Sequence, residues 1–300
     1  TQIQYALIYG WIKLHALLPM SVLYVLSDFL YFIVYRVIRY RVSVVRRNLK
    51  AAFPEKSNKE LLLLEKKFYH HFADYVVETL KLAHISLEEL QKRAYVQNPE
   101  LIDQLMDKGN PCCLLLMGHF GNWEWYSGST SRFKDACLYQ IYRPLNNKAV
   151  DKLFIHLRTK FGSFGIPKND TGREVVRLVR NKVRSAVIFL ADQTPSPSNL
   201  HYWTNFLNQD TAILTGAERL ARKLNTPVVF LDVQMLERGY YTLEMQLITD
   251  NPKETPENWI TEEYARRMEK SILRKPEGWL WTHKRWKYKR SDAVTHHGNN

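Results

Sequence analysis

The sequence predicts an α/β fold, a mixed and mainly parallel sheet flanked by helices, preceded by an N-terminal membrane-associated helix. Three observations lead there. From about residue 112 onward, short runs rich in Val, Ile, Leu, Cys and Tyr alternate with segments of helical periodicity, the pattern of strands covered on both faces. The first 45 residues are apolar and aromatic and end in a basic cluster. The chain has 300 residues, 45% of them hydrophobic, enough to build a core.

Taken in order, the apolar stretch runs from Leu14 to Tyr35, with Tyr5, Tyr9, Trp11, Tyr24, Tyr31 and Tyr35 as interface-seeking aromatics. It is long enough to span a bilayer, which needs about 20 residues. Pro19 and Asp28 interrupt it, so a bent or interfacial helix stands beside a clean span, and a buried core hairpin is a third reading. A cleaved signal peptide fits badly, because the positive charges follow the apolar stretch. Arg36, Arg39, Arg41, Arg46, Arg47 and Lys50 predict attraction to anionic lipid and a cytoplasmic location for everything downstream. The simplest partition is therefore an anchor at 1–45, one cytoplasmic domain at 46–292 and a disordered tail at 293–300.

Within the domain, Pro54 to Asn58 forms a turn in which Ser57 or Asn58 caps a helix from about Lys59 to Ala83, and a short helix follows Ser86. Strands are expected at Cys112–Met117, Cys137–Tyr142, Ala186–Leu190 and Val228–Val233. Helices are expected at about Asn122–Ser131, Asn146–Phe161, Gly172–Asn181 and Thr211–Leu224. Thr242–Leu247 suits a terminal antiparallel strand joined to its predecessor through Glu237-Arg238-Gly239. The Leu61–Leu64 run and Pro227 read as structural.

Charge bounds the partners. Lys and Arg total 43 against 30 Asp and Glu, a net +13, so the partner surface is acidic: a lipid headgroup, a phosphorylated substrate, an acidic protein or nucleic acid. Cys112, Cys113 and Cys137 make a poor disulfide framework and read as free thiols. Trp279, Trp281 and Trp286, interleaved with His283, Lys284, Arg285, Lys287, Lys289 and Arg290, suit single-stranded nucleic acid, a membrane interface or an acidic carrier protein. The N-terminal anchor favours the last two over nucleic acid.

The chemistry centres on Leu114 to Glu124, where an apolar run ends in Gly118-His119-Phe120-Gly121-Asn122. The glycine pair permits a sharp turn at the strand's end, leaving His119 as a candidate general base. Asn122 is placed to cap the next helix, with Glu124 in its first turn as the carboxylate that orients the imidazole. Along one continuous helix the two side chains would diverge by roughly 140°, so the pair needs the turn between them. His84 and Glu89 share the spacing without the strand or glycines and read as surface residues. The bland alternative for His119 is a hydrogen-bonded turn histidine. With only Glu124 near it, no metal site is expected. Asp192 and Gln193 end the Ala186–Leu190 strand, where α/β sheets place ligands, although an Asp there also serves as a cap or turn former.

Five blocks in chain order resemble the lipid A late acyltransferase family, the lauroyl- and myristoyl-transferring enzymes of the bacterial inner membrane. They are Arg46 to Glu55; His119 to Glu124 as an H-x4-D/E signature; Tyr142-Arg143-Pro144-Leu145-Asn146-Asn147 with Arg158 and Gly162; Ala191-Asp192-Gln193; and Pro276 to Lys287. The chain departs from the pattern at Thr194 to Ser198, where a glycine-rich continuation is common, and at Asn208, where glycine is usual. The resemblance implies a glycerolipid acyltransferase-like fold and transfer of an acyl chain from acyl carrier protein thioester to a hydroxyl of a lipid acceptor, foremost a lipid A precursor. A lysophospholipid or aminolipid is the alternative acceptor, and a noncatalytic membrane-tethered binding module the alternative class. It implies His119 and Glu124 as catalytic residues and Arg158, Asp192, Arg143 and Arg285 as substrate-binding or oxyanion residues. No cofactor, metal or nucleic acid is implied. The expected location is the inner membrane, with the domain facing the cytoplasm.

Overall fold

In the computed structural model, which describes residues 2–295, proline punctuates the amino terminus. Helix α1 (Gln2–Ala16) stops short of Pro19, which has no N–H to donate, and α2 (Met20–Tyr31) starts just after it. The chain continues through a π-helical stretch, Phe32–Val37. Met20–Val37 is 18 residues of apolar helix, long enough to cross a membrane, and 22% of it is buried. One face of α2 packs along α4 (Asn58–Lys81), while Val25 and Phe29 of α2, and Phe32 just after it, are exposed. Asp28, which interrupts the apolar run, lies on the docked side, 2.6 Å from Arg238.

Arg39 and Arg41, both at positive φ (56° and 53°), turn the chain into α3 (Val42–Ala52). A capping box between Ser57 and Glu60 opens α4, and Ser86 caps α5 (Leu87–Arg93). Next come β1 (Ala94–Val96), α6 (Glu100–Asp107), β2 (Cys112–Met117), a 3₁₀ stretch Trp123–Arg132, β3 (Cys137–Tyr142), α7 (Lys148–Thr159), β4 (Phe164–Pro167), α8 (Thr171–Arg180) and β5 (Ser185–Leu190). A hairpin of β6 (Tyr202–Phe206) and β7 (Gln209–Ile213) leads to α9 (Gly216–Leu224), β8 (Val228–Glu237), β9 (Tyr240–Thr249), α10 (Trp259–Arg274) and α11 (Arg290–Thr295).

Seven strands form one sheet in the order β1-β9-β8-β2-β5-β3-β4, parallel throughout except for the β8/β9 hairpin. The expected mixed, mainly parallel sheet is therefore present. Every residue of β2 is buried, including Cys112 and Cys113 on opposite faces, because helices cover both sides.

Several expectations need correction. The helix expected at Thr211–Leu224 is the strand β7 followed by α9. Leu207 and Asn208 both adopt positive φ and form a two-residue hairpin turn, although neither is the glycine such turns prefer. The segment after Asn122 is a 3₁₀ helix, and Asn122 makes no side-chain cap. Leu64 enters the core, but Leu62 and Leu63 are exposed, because a helix cannot turn four consecutive residues to one face. β1, β4, β6, α6 and α10 have no counterpart among the expected elements. Of the expected tail, residues 293–295 belong to α11, and residues 296–300 lie outside the described residues.

Candidate active site

Strand register builds the centre. Parallel pairing sets Met117 of β2 against Leu190 of β5, so the two residues beyond each strand run on side by side, and the Ala191 N–H donates to Met117 O at 3.1 Å. His119 thereby meets Asp192 rather than a residue of its own segment. The connection from β2 runs across β5 to β3 and that from β5 runs across β2 to β8, so the two neighbouring strands send their connections in opposite directions, the arrangement at which α/β sheets place ligands.

Local backbone geometry fixes His119. The Phe120 N–H reaches back to Gly118 O at 2.9 Å, a three-residue turn with His119 at its centre, and Gly121 follows at φ +58°. A Cβ on Gly118 would lie 2.4 Å from Met268 Sδ, and one on Gly121 would press on Tyr241 and Val233 at 3.1 Å. The closing segment clamps this turn from outside, with Gly121 N–H on Gly278 O at 2.9 Å and Leu280 N–H on His119 O at 3.1 Å.

Asp192 takes three hydrogen bonds. His119 Nδ1 lies 2.7 Å from its Oδ1, while the His119 backbone N–H (2.9 Å) and the Trp279 indole N–H (2.8 Å) donate to Oδ2. Burial alone would raise the carboxyl's pKa. The adjoining His119, through charge and hydrogen bonds, and Trp279 outweigh that and hold it at about 2. An ionised Asp192 favours the proton on Nδ1, so in the neutral imidazole Nε2 is the nitrogen with the free lone pair. Nε2 stands 3.2 Å from the Gln193 amide nitrogen, which donates to it. A histidine so oriented can take a proton at Nε2 and return it.

Glu124 stands elsewhere. Its two oxygens accept a fork from Arg158, Nη2 at 2.6 Å and Nε at 2.7 Å, and it is buried. The expectation that Glu124 orients His119 is therefore corrected: the 3₁₀ stretch turns the carboxylate away, and the Trp123 ring packs edge-on to the imidazole, 5.0 Å between centroids. Arg158, expected on an oxyanion or phosphate, has its planar fork engaged by Glu124. Arg143 is exposed just past β3. Arg285 is buried, donates to Ala212 O at 2.6 Å, and its Nε has no partner among the described residues. Burial draws its pKa down to about 10 against the opposing pull of Asp192.

The tryptophan cluster is not an exposed aromatic platform. Trp279 and Trp281 are buried, and the three indole N–H groups go to Asp192, Pro276 O and Thr211. Alternation of aromatic and basic residues reads as an exposed platform, yet here the aromatics point inward.

Two site neighbours carried no expected role. His283 Nε2 accepts the Thr194 N–H at 3.1 Å, and burial lowers its pKa to about 4, leaving it neutral. Asn48 Nδ2 donates to Trp281 O (3.0 Å) and His283 O (2.9 Å), tying α3 to the closing segment. Its position within Arg46-Arg47-Asn48 was the available signal. Phe68, His71, Phe72, Tyr75, Trp123 and Leu280 help line a small depression, and one of them, Trp123, is the residue packed edge-on against the His119 ring.

The family model for bacterial lipid A biosynthesis acyltransferases matches residues 1–288. No curated relative matches the chain.

Proposed function

The chain belongs to the bacterial lipid A biosynthesis acyltransferase family, and from that premise we propose a membrane-bound O-acyltransferase that moves a fatty acyl chain from acyl carrier protein thioester to a hydroxyl of a lipid A precursor. The observation that carries the chemistry is the His119–Asp192 pair, with Nδ1 on the carboxylate and Nε2 facing the Gln193 amide. The acceptor hydroxyl displaces the Gln193 amide from Nε2 and gives up its proton as its oxygen attacks the thioester carbon. The tetrahedral oxyanion collapses with cleavage of the C–S bond, and the imidazolium returns the proton to the departing thiolate. Asp192 holds the tautomer and stabilises the imidazolium. Base catalysis of this kind contributes about 10²–10⁴-fold, and the thiol is already a good leaving group. The step as written consumes no cofactor.

Two surface features support the membrane and carrier parts of the reading. Ile3, Leu7, Trp11 and Leu14 form one exposed stripe on α1 at helical spacing, and Val25 and Phe29 on α2, with Phe32 just after it, are exposed as well. With α2's polar side docked on α4, these apolar residues meet the lipid interface, and Arg36, Arg39, Arg47 and Lys50, which follow in the chain, suit the anionic cytoplasmic face of the inner membrane. A net charge of +13 favours an acidic carrier protein as donor and anionic lipid as neighbour.

The test uses detergent-purified protein and His119→Ala, with carrier-protein and coenzyme A thioesters of several lengths and either a lipid A precursor or a lysophospholipid, products being identified by mass spectrometry. Acylated lipid A precursor from wild type alone is expected. Product on the lysophospholipid alone would replace the acceptor, and equal product from His119→Ala would overturn the base.

A further inference from the structure

Far along α4, Glu78 is completely buried, and among the described residues no cation pairs with it. Its Oε1 accepts the Tyr24 hydroxyl of α2 at 3.0 Å. Its Oε2 accepts Asn122 Nδ2 and the Tyr241 hydroxyl of β9, each at 2.8 Å, and its backbone carbonyl accepts the Trp125 indole N–H at 2.8 Å. A carboxylate supplied only with neutral donors is a costly way to fill a core, since an apolar residue of similar volume would avoid the desolvation.

The placement gives the residue a use. Asn122 lies three residues beyond His119, and the intervening Gly121 packs on Tyr241, itself a Glu78 partner. The Asn122 Oδ1 is buried without a partner among the described residues, so the side chain is held through Nδ2 on Glu78. On the other side, Tyr24 belongs to the helix with the exposed apolar face. Beside it Ser27 Oγ donates to Asp74 at 2.6 Å, and Arg238 bridges Asp74 (2.7 Å) and Asp28 (2.6 Å).

We propose that Glu78 is a positioning residue that links the seat of α2 to the turn carrying His119, one carboxylate oxygen holding the helix and the other holding the turn. The proposal rests on the reading of His119 as general base. When α2 is seated, Tyr24, Glu78 and Asn122 form a continuous hydrogen-bonded chain from the lipid-facing helix to the catalytic turn. When α2 shifts, Oε1 loses its donor and the turn loses its fixed support.

The experiment compares full-length wild type, Tyr24→Phe, Glu78→Gln and the double variant in phosphatidylglycerol vesicles, following steady-state acyl transfer and amide hydrogen exchange over residues 118–123. Tyr24→Phe removes one hydroxyl and keeps the ring. Both single variants are expected to lower kcat about 10-fold with the KM for the acyl donor within about two-fold, as small displacements of a catalytic group do. Exchange at 118–123 should quicken in both, and the double variant should be no worse than Glu78→Gln, as expected of one coupled chain. If Glu78→Gln does not fold, Tyr24→Phe carries the test. Unchanged kcat and unchanged exchange in Tyr24→Phe would overturn the coupling, as would a fall in melting temperature with kcat and exchange intact. If wild type itself transfers no acyl chain, the proposed function fails, and exchange at 118–123 still decides the coupling.

Discussion

Two buried acids, Asp192 at the strand ends and Glu78 beneath α2, experience the same burial and shift in opposite directions. Asp192 faces an imidazole, a backbone N–H and an indole N–H, and is held at about 2. Glu78 faces a carboxamide and two phenols, and burial pushes it up to about 7. A chargeable partner offsets desolvation where neutral donors do not, so burial alone does not say which acid is ionised. The strand-end region is built to keep a charge fixed, whereas the α2 seat keeps an acid poised to change state.

The largest break in this contrast comes from making Asp192 neutral. Asp192→Asn keeps the shape but presents an amide to Nδ1, which favours the wrong tautomer and puts the proton on Nε2. Turnover should fall about 10³–10⁴-fold, with the melting temperature lowered only modestly, as measured by steady-state acyl transfer and thermal unfolding. Activity within about ten-fold of wild type would remove Asp192 from the mechanism.

Glu124 and Arg158 are the intermediate case, a mutually paired carboxylate and guanidinium. Glu124→Ala and Arg158→Ala should each cost about 2–3 kcal/mol of stability, below the full value for a buried pair because Arg158 retains some solvent contact. The double variant should cost clearly less than the sum, since its second change removes an already unpaired charge. Additive losses in denaturant melts would mean that the fork carries little energy.

The pH dependence of stability sharpens the contrast directly. Asp192 is depressed on folding, so it contributes on the order of 2 kcal/mol above about pH 4, lost as pH falls toward 2. Glu78 is raised. Between its ordinary value of 4.5 and about 7 the folded state holds a proton that the unfolded state has released, so stability declines across that window by on the order of 3 kcal/mol. Glu78→Gln should remove that decline, gaining on wild type as pH rises from 4.5 to 7. Parallel stability curves for the two proteins would erase the distinction between the carboxylates.

What was legible in the sequence was local. The limits of β2 and β3 follow from apolar runs, the break before α2 from Pro19, the start of α4 from Ser57, and the turn at His119 from two glycines that close packing requires. What was not legible depends on register. Asp192 lies 73 residues from His119, and only the parallel pairing of β2 with β5 brings them together. Spacing pointed instead to Glu124, because counting five residues does not show that the intervening 3₁₀ stretch faces it toward α7. The β6/β7 hairpin escaped notice because its turn is Leu207-Asn208, and the tryptophans misled because alternation with basic residues says nothing about which side faces inward. Glu78 carried no signal, being one glutamate in a long amphipathic helix.

The smallest effect tests how the two regions divide the labour of α2. Its exposed side and the α1 stripe are open to solvent, while its other side is occupied by Asp74, Glu78 and Arg238. If the exposed side meets lipid, Leu7→Ser and Phe29→Ser should each weaken partitioning onto phosphatidylglycerol vesicles by about 2 kcal/mol, roughly 30-fold, with melting temperature unchanged because neither side chain is packed. Asp28→Asn should do the reverse, loosening the Arg238 contact at little cost to partitioning and slightly lowering the melting temperature. Co-sedimentation and thermal unfolding measured on the same preparations separate the two. A shared loss of both properties in all three variants would mean that the helix is one structural unit with no lipid-facing side, and equal partitioning in all of them would move the membrane contact away from α1 and α2.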